Sequence, residues 1–186
     1  MTTFPNPLRK LQASVLSLAT AALIALPAVV QAADAVSEFS KPVLDLGIVV
    51  KDADRTAQFL TKAIGLKEVN GFSVSEQLGR DIGLVDGHAV DVRVFVMEDT
   101  ELATRIKILC FPKAKSAKPD QKFIHSTLGI SYLTLFVKDI NQAMERLKKE
   151  KVKMLGKSPV DLGNGSYLVS VQDPDGNFIE LIGPKL

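Results

Sequence analysis

Two stretches of this chain follow one plan with their landmarks at matching offsets, which constrains the fold more than any other feature. Residues 44–52 read Leu44-Asp45-Leu46-Gly47-Ile48-Val49-Val50-Lys51-Asp52, and residues 131–139 read Ser131-Tyr132-Leu133-Thr134-Leu135-Phe136-Val137-Lys138-Asp139. Each is an apolar strand closed by a Lys-Asp step, and each is followed by a helical pattern, over 53–64 and 140–151. Further strand patterns come after both. Repetition at a fixed offset marks a duplicated supersecondary unit. The pattern predicts an α+β fold of two β-α-β-β-β modules, the first over 43–112 and the second over 130–186. The stretch 113–129 joins them.

The opening residues have a different character. Arg9 and Lys10 precede an apolar stretch over 15–30, and Val30-Gln31-Ala32 supplies a small-x-small exit. This is the layout of a secretory leader, so residues 1–32 are expected to be cleaved before Ala33. The expected location is periplasmic or secreted. The whole chain carries 23 Lys and Arg against 21 Asp and Glu, and losing Arg9 and Lys10 leaves 21 of each. That balance gives no electrostatic footprint for nucleic acid or an anionic membrane. Cys110 is the single cysteine, so no intrachain disulfide forms despite the oxidising compartment. It is expected to be a small core residue.

Local signals fill in the modules. Residues 43–50 are mostly apolar and β-branched, which predicts a strand buried on both faces. Asp52 stands where it can cap a helix, Phe59, Leu60 and Ile64 give that helix an apolar stripe, and Gly65 can stop it. Strand patterns run over 66–71, 90–97 and 104–111, with a polar irregular stretch over 73–80. In the second module Asp139 caps a helix, and strands are expected over 152–155, 167–172 and 178–182. Asp173-Pro174-Asp175-Gly176 has the chemistry of a tight reverse turn: Pro presets φ, Asp bonds back to the backbone, and Gly permits positive φ.

With these residues in view, the sequence resembles the vicinal oxygen chelate superfamily, which includes glyoxalases, extradiol dioxygenases and bleomycin-resistance proteins. The resemblance rests on the two strand-Lys-Asp-helix openings and on the closing Asp-Pro-Asp-Gly-Asn-x-x-Glu at 173–180. It implies paired βαβββ modules whose sheets curl into a cup. It also implies four positions on the first and last strands of each module, where His or Glu side chains commonly hold a divalent metal. Carried onto this chain, those positions are Asp45, Lys107, Tyr132 and Glu180. Only Glu180 is the usual residue.

An ammonium has three donors and no lone pair to give, so Lys107 cannot ligate while charged. Two carboxylates fall short of the three protein ligands typical of catalytic zinc. Three readings stay open at this point. In the first, no cofactor binds: Lys107 replaces the cation between Asp45 and Glu180, and Tyr132 helps to hold a small oxygenated molecule. As an enzyme, Glu180 or Asp45 would then be the base, while Lys107 and Tyr132 stabilise an oxyanion in lyase or isomerase chemistry. In the second, a divalent metal is held by Asp45, Glu180 and waters. In the third, the four form a satisfied cluster in a decayed site, and the protein binds or sequesters without turnover. Glutathione-dependent glyoxalase chemistry is not expected, since three of the usual ligands are missing.

Other candidates are weaker. His88 reads as a turn residue, and His125 could edge the cup. Arg93 and Arg105 alternate with apolar residues, so either could project into the cup or stand in solvent. Asp173, Asp175 and Asn177 lack the twelve-residue spacing of a calcium loop. The expected partners are a small-molecule ligand and a second copy of the chain, with no nucleic acid and no membrane.

Overall fold

The computed structural model describes residues 38–186. The expected leader lies outside the described residues. Among them, no helix is long and apolar enough to cross a membrane.

The first module runs β1 (Asp45–Val50), α1 (Ala53–Gln58), β2 (Lys67–Val74), α2 (Glu76–Asp81), β3 (Val90–Val96) and β4 (Arg105–Cys110). Asp52 caps α1, its carboxylate accepting from the Arg55 amide at 3.0 Å. α1 continues without a break into a π-helical segment, Phe59–Ile64. Gly65 ends it in the left-handed region at φ 95°, its amide donating to the Leu60 carbonyl. That conformation is cheap for glycine alone.

The second module runs β5 (Tyr132–Phe136), α3 (Ile140–Lys149), β6 (Val160–Asp161), β7 (Ser166–Gln172) and β8 (Phe178–Pro184). Asp139 caps α3 by accepting from the Asn141 amide at 2.9 Å. The strand expected over 152–155 is reduced to one bridge, Met154 to Val171. Gly156 turns the chain away at φ 57°, and Pro159 has no N–H to give a ladder, so pairing resumes only at β6. The irregular stretch over 73–80 is partly strand and partly helix. β2 extends to Val74, and Ser75 caps α2.

Each module makes its own four-stranded sheet, ordered β1-β4-β3-β2 and β5-β8-β7-β6. β1 runs parallel to β4, and β5 parallel to β8; the remaining neighbours are antiparallel. Among the described residues, no strand of one sheet pairs with a strand of the other. The modules meet instead where α3 packs on the π-helical segment, and the Arg146 guanidinium donates to the Ile64 carbonyl at 3.1 Å.

One continuous core joins both halves. It takes Leu60 and Ile64 from the first helix, Ile140 and Leu147 from α3, and the residues of both sheets that face them. The helices cover one face of each sheet; on the other face of the first sheet Val90, Val92 and Val94 form a smaller buried cluster with Val69, Val74, Leu109 and Phe111. β1 was expected to be buried on both faces, and here it departs: Ile48 and Val50 face the core, whereas Val49 is 55% exposed.

Candidate functional site

Side chains alternate across a strand, so the core assigns every residue to a face. Ile48, Ile106, Ile108, Leu133, Leu135 and Ile179 pack toward the helices. Their neighbours, on the opposite outer faces, include Asp45, Lys107, Tyr132, Thr134 and Glu180. Register then fixes the correspondence between modules. Gly47 lies opposite Lys107, and Thr134 lies opposite Glu180. Asp45 and Tyr132 each stand two residues earlier on the opening strand. The four family positions therefore occupy equivalent places in the two modules.

Their interactions differ. Lys107 Nζ lies 2.7 Å from Asp45 Oδ2, with the Phe72 ring 5.7 Å away on the same face. The hydrogen bond from Lys107 holds the Asp45 carboxyl below its ordinary range, and the charges of Lys107 and Arg105 add to this. On the other sheet, Glu180 Oε2 accepts from Thr134 Oγ1 at 2.8 Å. The expected lysine bridge between two carboxylates is thus corrected. Lys107 pairs with Asp45 alone, and Glu180 is satisfied by a hydroxyl of its own sheet. Thr134 was missed from sequence. Its signal was its place two residues beyond Tyr132, on the same face.

Tyr132 is 48% exposed, and its hydroxyl makes no hydrogen bond among the described residues. Arg93 does not reach the outer face. It shares the inner side with Phe95, donating to Glu68 at 2.6 and 2.9 Å and to Asp54 at 2.8 Å. These partners raise the Arg93 pKa and lower that of Glu68. Arg105 has the parity of Lys107 and makes no ion pair among the described residues. His88 sits 3.5 Å from Asp86 and edge-on to Phe111, and His125 stacks on Phe123.

The closing turn is structural. Asp173, 8% exposed, accepts at Oδ1 from the amides of Asp175, Gly176 and Asn177, and at Oδ2 from Asn177 Nδ2. Asp175 in turn accepts from the Lys51 amide at 3.0 Å, tying the turn to the first module. Its carboxylates are committed to the protein.

Three concavities surround these groups. The largest, about 800 Å³, follows the open edge of β1 and includes Tyr132 but none of the other three positions. A second, about 540 Å³, lies on the outer face of the first sheet and contains Lys107, Arg105 and Phe72. A third, about 350 Å³, contains Asp45 and Arg105.

The donor set does not suit the divalent ion that the family commonly holds. One carboxylate is paired with an ammonium that has no lone pair to give, the other already accepts from Thr134, and the phenol is a poor ligand near neutral pH. Among the described residues, no group of three or more His, Cys, Asp or Glu is placed to hold a metal.

Residues 43–181 match the model of the Glyoxalase/Bleomycin resistance protein/Dioxygenase superfamily, and the chain belongs to that superfamily. A glyoxalase family protein from Bacillus cereus is 24% identical, with a TM-score of 0.68 over 83% of this chain and 100% of that one. A glyoxylase/bleomycin resistance protein/dioxygenase domain from Frankia sp. EAN1pec is 14% identical, with a TM-score of 0.53 over 81% and 94% of the two chains. A glyoxalase I mutant from Zea mays is 17% identical, with a TM-score of 0.56 over 74% of this chain and 43% of that one. At these identities the likeness is one of fold. No curated protein matches the chain.

Proposed function

We propose that this superfamily member is an exported protein that binds a small oxygenated anion on the outer face of its first sheet without a divalent ion. The observation that carries the reading is the 2.7 Å pair between Lys107 and Asp45. It puts an ammonium at a position where the family commonly has a ligand. Lys107 has three donors and gives one to Asp45, leaving two for a ligand oxygen. Arg105, whose charge also acts on Asp45, adds a guanidinium that makes no close ion pair among the described residues.

Binding suits this geometry better than turnover. A general base works best with a pKa near the operating pH. The Asp45 carboxyl is held in the opposite direction, below its ordinary range, by Lys107. Glu180 already accepts from Thr134. We further propose a homodimer that covers the outer faces, where Val49 and Phe136 are 55% and 77% exposed.

Isocaproate, a branched carboxylate with no second charge, is the probe. Titrated calorimetrically into the exported chain, it should bind with no added metal and with no change on chelation. Lys107→Met should weaken it about tenfold. Stoichiometric divalent metal whose removal abolishes binding would overturn the reading, and so would unchanged affinity in the variant.

A further inference from the structure

Four charged residues border the 540 Å³ concavity on the first sheet: Glu68, Asp99, Arg105 and Lys107. Two already have partners. Glu68 is engaged by the Arg93 fork at 2.6 and 2.9 Å, and Lys107 is engaged by Asp45 at 2.7 Å. Arg105 and Asp99 remain, one cation and one anion, with no ion pair to each other or to any other described residue. Between them the wall is apolar, formed by the buried Val94 and Val96 with the Phe72 ring.

A cavity with one charge of each sign outside any close ion pair, and an apolar wall, complements a molecule of the same composition. A monoanion would satisfy Arg105 and leave Asp99 facing it with like charge. A simple cation would do the reverse. We propose that the ligand of this site is a small amino-acid-like zwitterion, its carboxylate toward Arg105 and Lys107, its ammonium toward Asp99, and its apolar side chain on Val94, Val96 and Phe72. The inference rests on the reading of this face as an anion site and adds the second, positive end of the ligand.

Leucine and isocaproate differ by the ammonium group and share the same branched side chain, so their comparison isolates it. In calorimetric titrations of the exported chain, leucine should bind about fivefold tighter than isocaproate. Asp99→Asn should bring the ratio to about one while leaving isocaproate unchanged or slightly tighter. Arg105→Gln should weaken both ligands together. Leucine binding no tighter than isocaproate, or a preference that survives Asp99→Asn, overturns the zwitterion. If isocaproate binding still depends on Lys107 in that case, the anion site stands without it. If neither ligand binds in a Lys107-dependent way, both readings fall.

Discussion

Lys107 and Asp45 meet across two parallel strands, Nζ to Oδ2 at 2.7 Å, although register sets Asp45 opposite Arg105 and Lys107 opposite Gly47. The contact is therefore diagonal, reaching from one opening-strand residue to the closing-strand residue two register steps on.

Removing the lysine should release the carboxylate. In Lys107→Met, the Asp45 titration midpoint followed by NMR should rise toward that of an ordinary aspartate. The pair is partly exposed, so the variant should lose less than about 1 kcal/mol of stability. A midpoint that does not move would mean that the lysine is not the group holding the carboxylate ionised.

Acid should weaken the fold through a second pair. Hydrogen bonds from Arg93 lower the Glu68 pKa in the folded chain. A depressed folded pKa stabilises above the unfolded value and is lost as pH falls through the folded one. Glu68→Gln should therefore cost about 1 kcal/mol at neutral pH, and the gap should shrink as the pH falls below the ordinary glutamate range. Urea titrations at neutral pH and at a series of acid pH values check this, and a gap that stays constant throughout contradicts it.

The Asp173 turn should be sensitive to side-chain chemistry. Asp173→Ala strips a partner from three backbone amides and the Asn177 carboxamide, in a place with little access to water. Unpaired buried donors are costly, so a loss of about 3 kcal/mol is expected in urea unfolding. A loss under about 0.5 kcal/mol, the range of ordinary surface substitutions, would show that the turn holds itself without the carboxylate.

Because one core spans both modules, the described body should unfold as a unit. Leu147 is fully buried in α3 where that helix meets the first module. Leu147→Ala should lower a single unfolding transition by about 3 kcal/mol, seen alike by circular dichroism and tyrosine fluorescence. Two separate transitions in the parent protein would refute the shared core.

Much of the fold was readable because its signals are local. The Lys-Asp steps announced caps that Asp52 and Asp139 supply. Gly65 announced a left-handed stop, and Asp173 to Asn177 announced a tight turn. The errors share one cause. β1 looked buried on both faces because Leu46, Ile48, Val49 and Val50 are all apolar, yet burial depends on what packs against each side. The strand over 152–155 had the right composition, but Gly156 and Pro159 left it almost no ladder. The candidate site was half readable: its four positions follow from the repeat, and their partners do not.

The sequence by itself determined the module order, the caps, the closing turn and the equivalence of Asp45 with Tyr132 and of Lys107 with Glu180. All of these depend on residues close together in the chain or on matching offsets. Only the tertiary structure decided that Lys107 meets Asp45 while Glu180 meets Thr134. That choice depends on strand register and on two sheets staying unpaired, and both arise from the packing of helices against a common core. Local sequence carries the side chains but not the distances between elements, so it leaves their partners open.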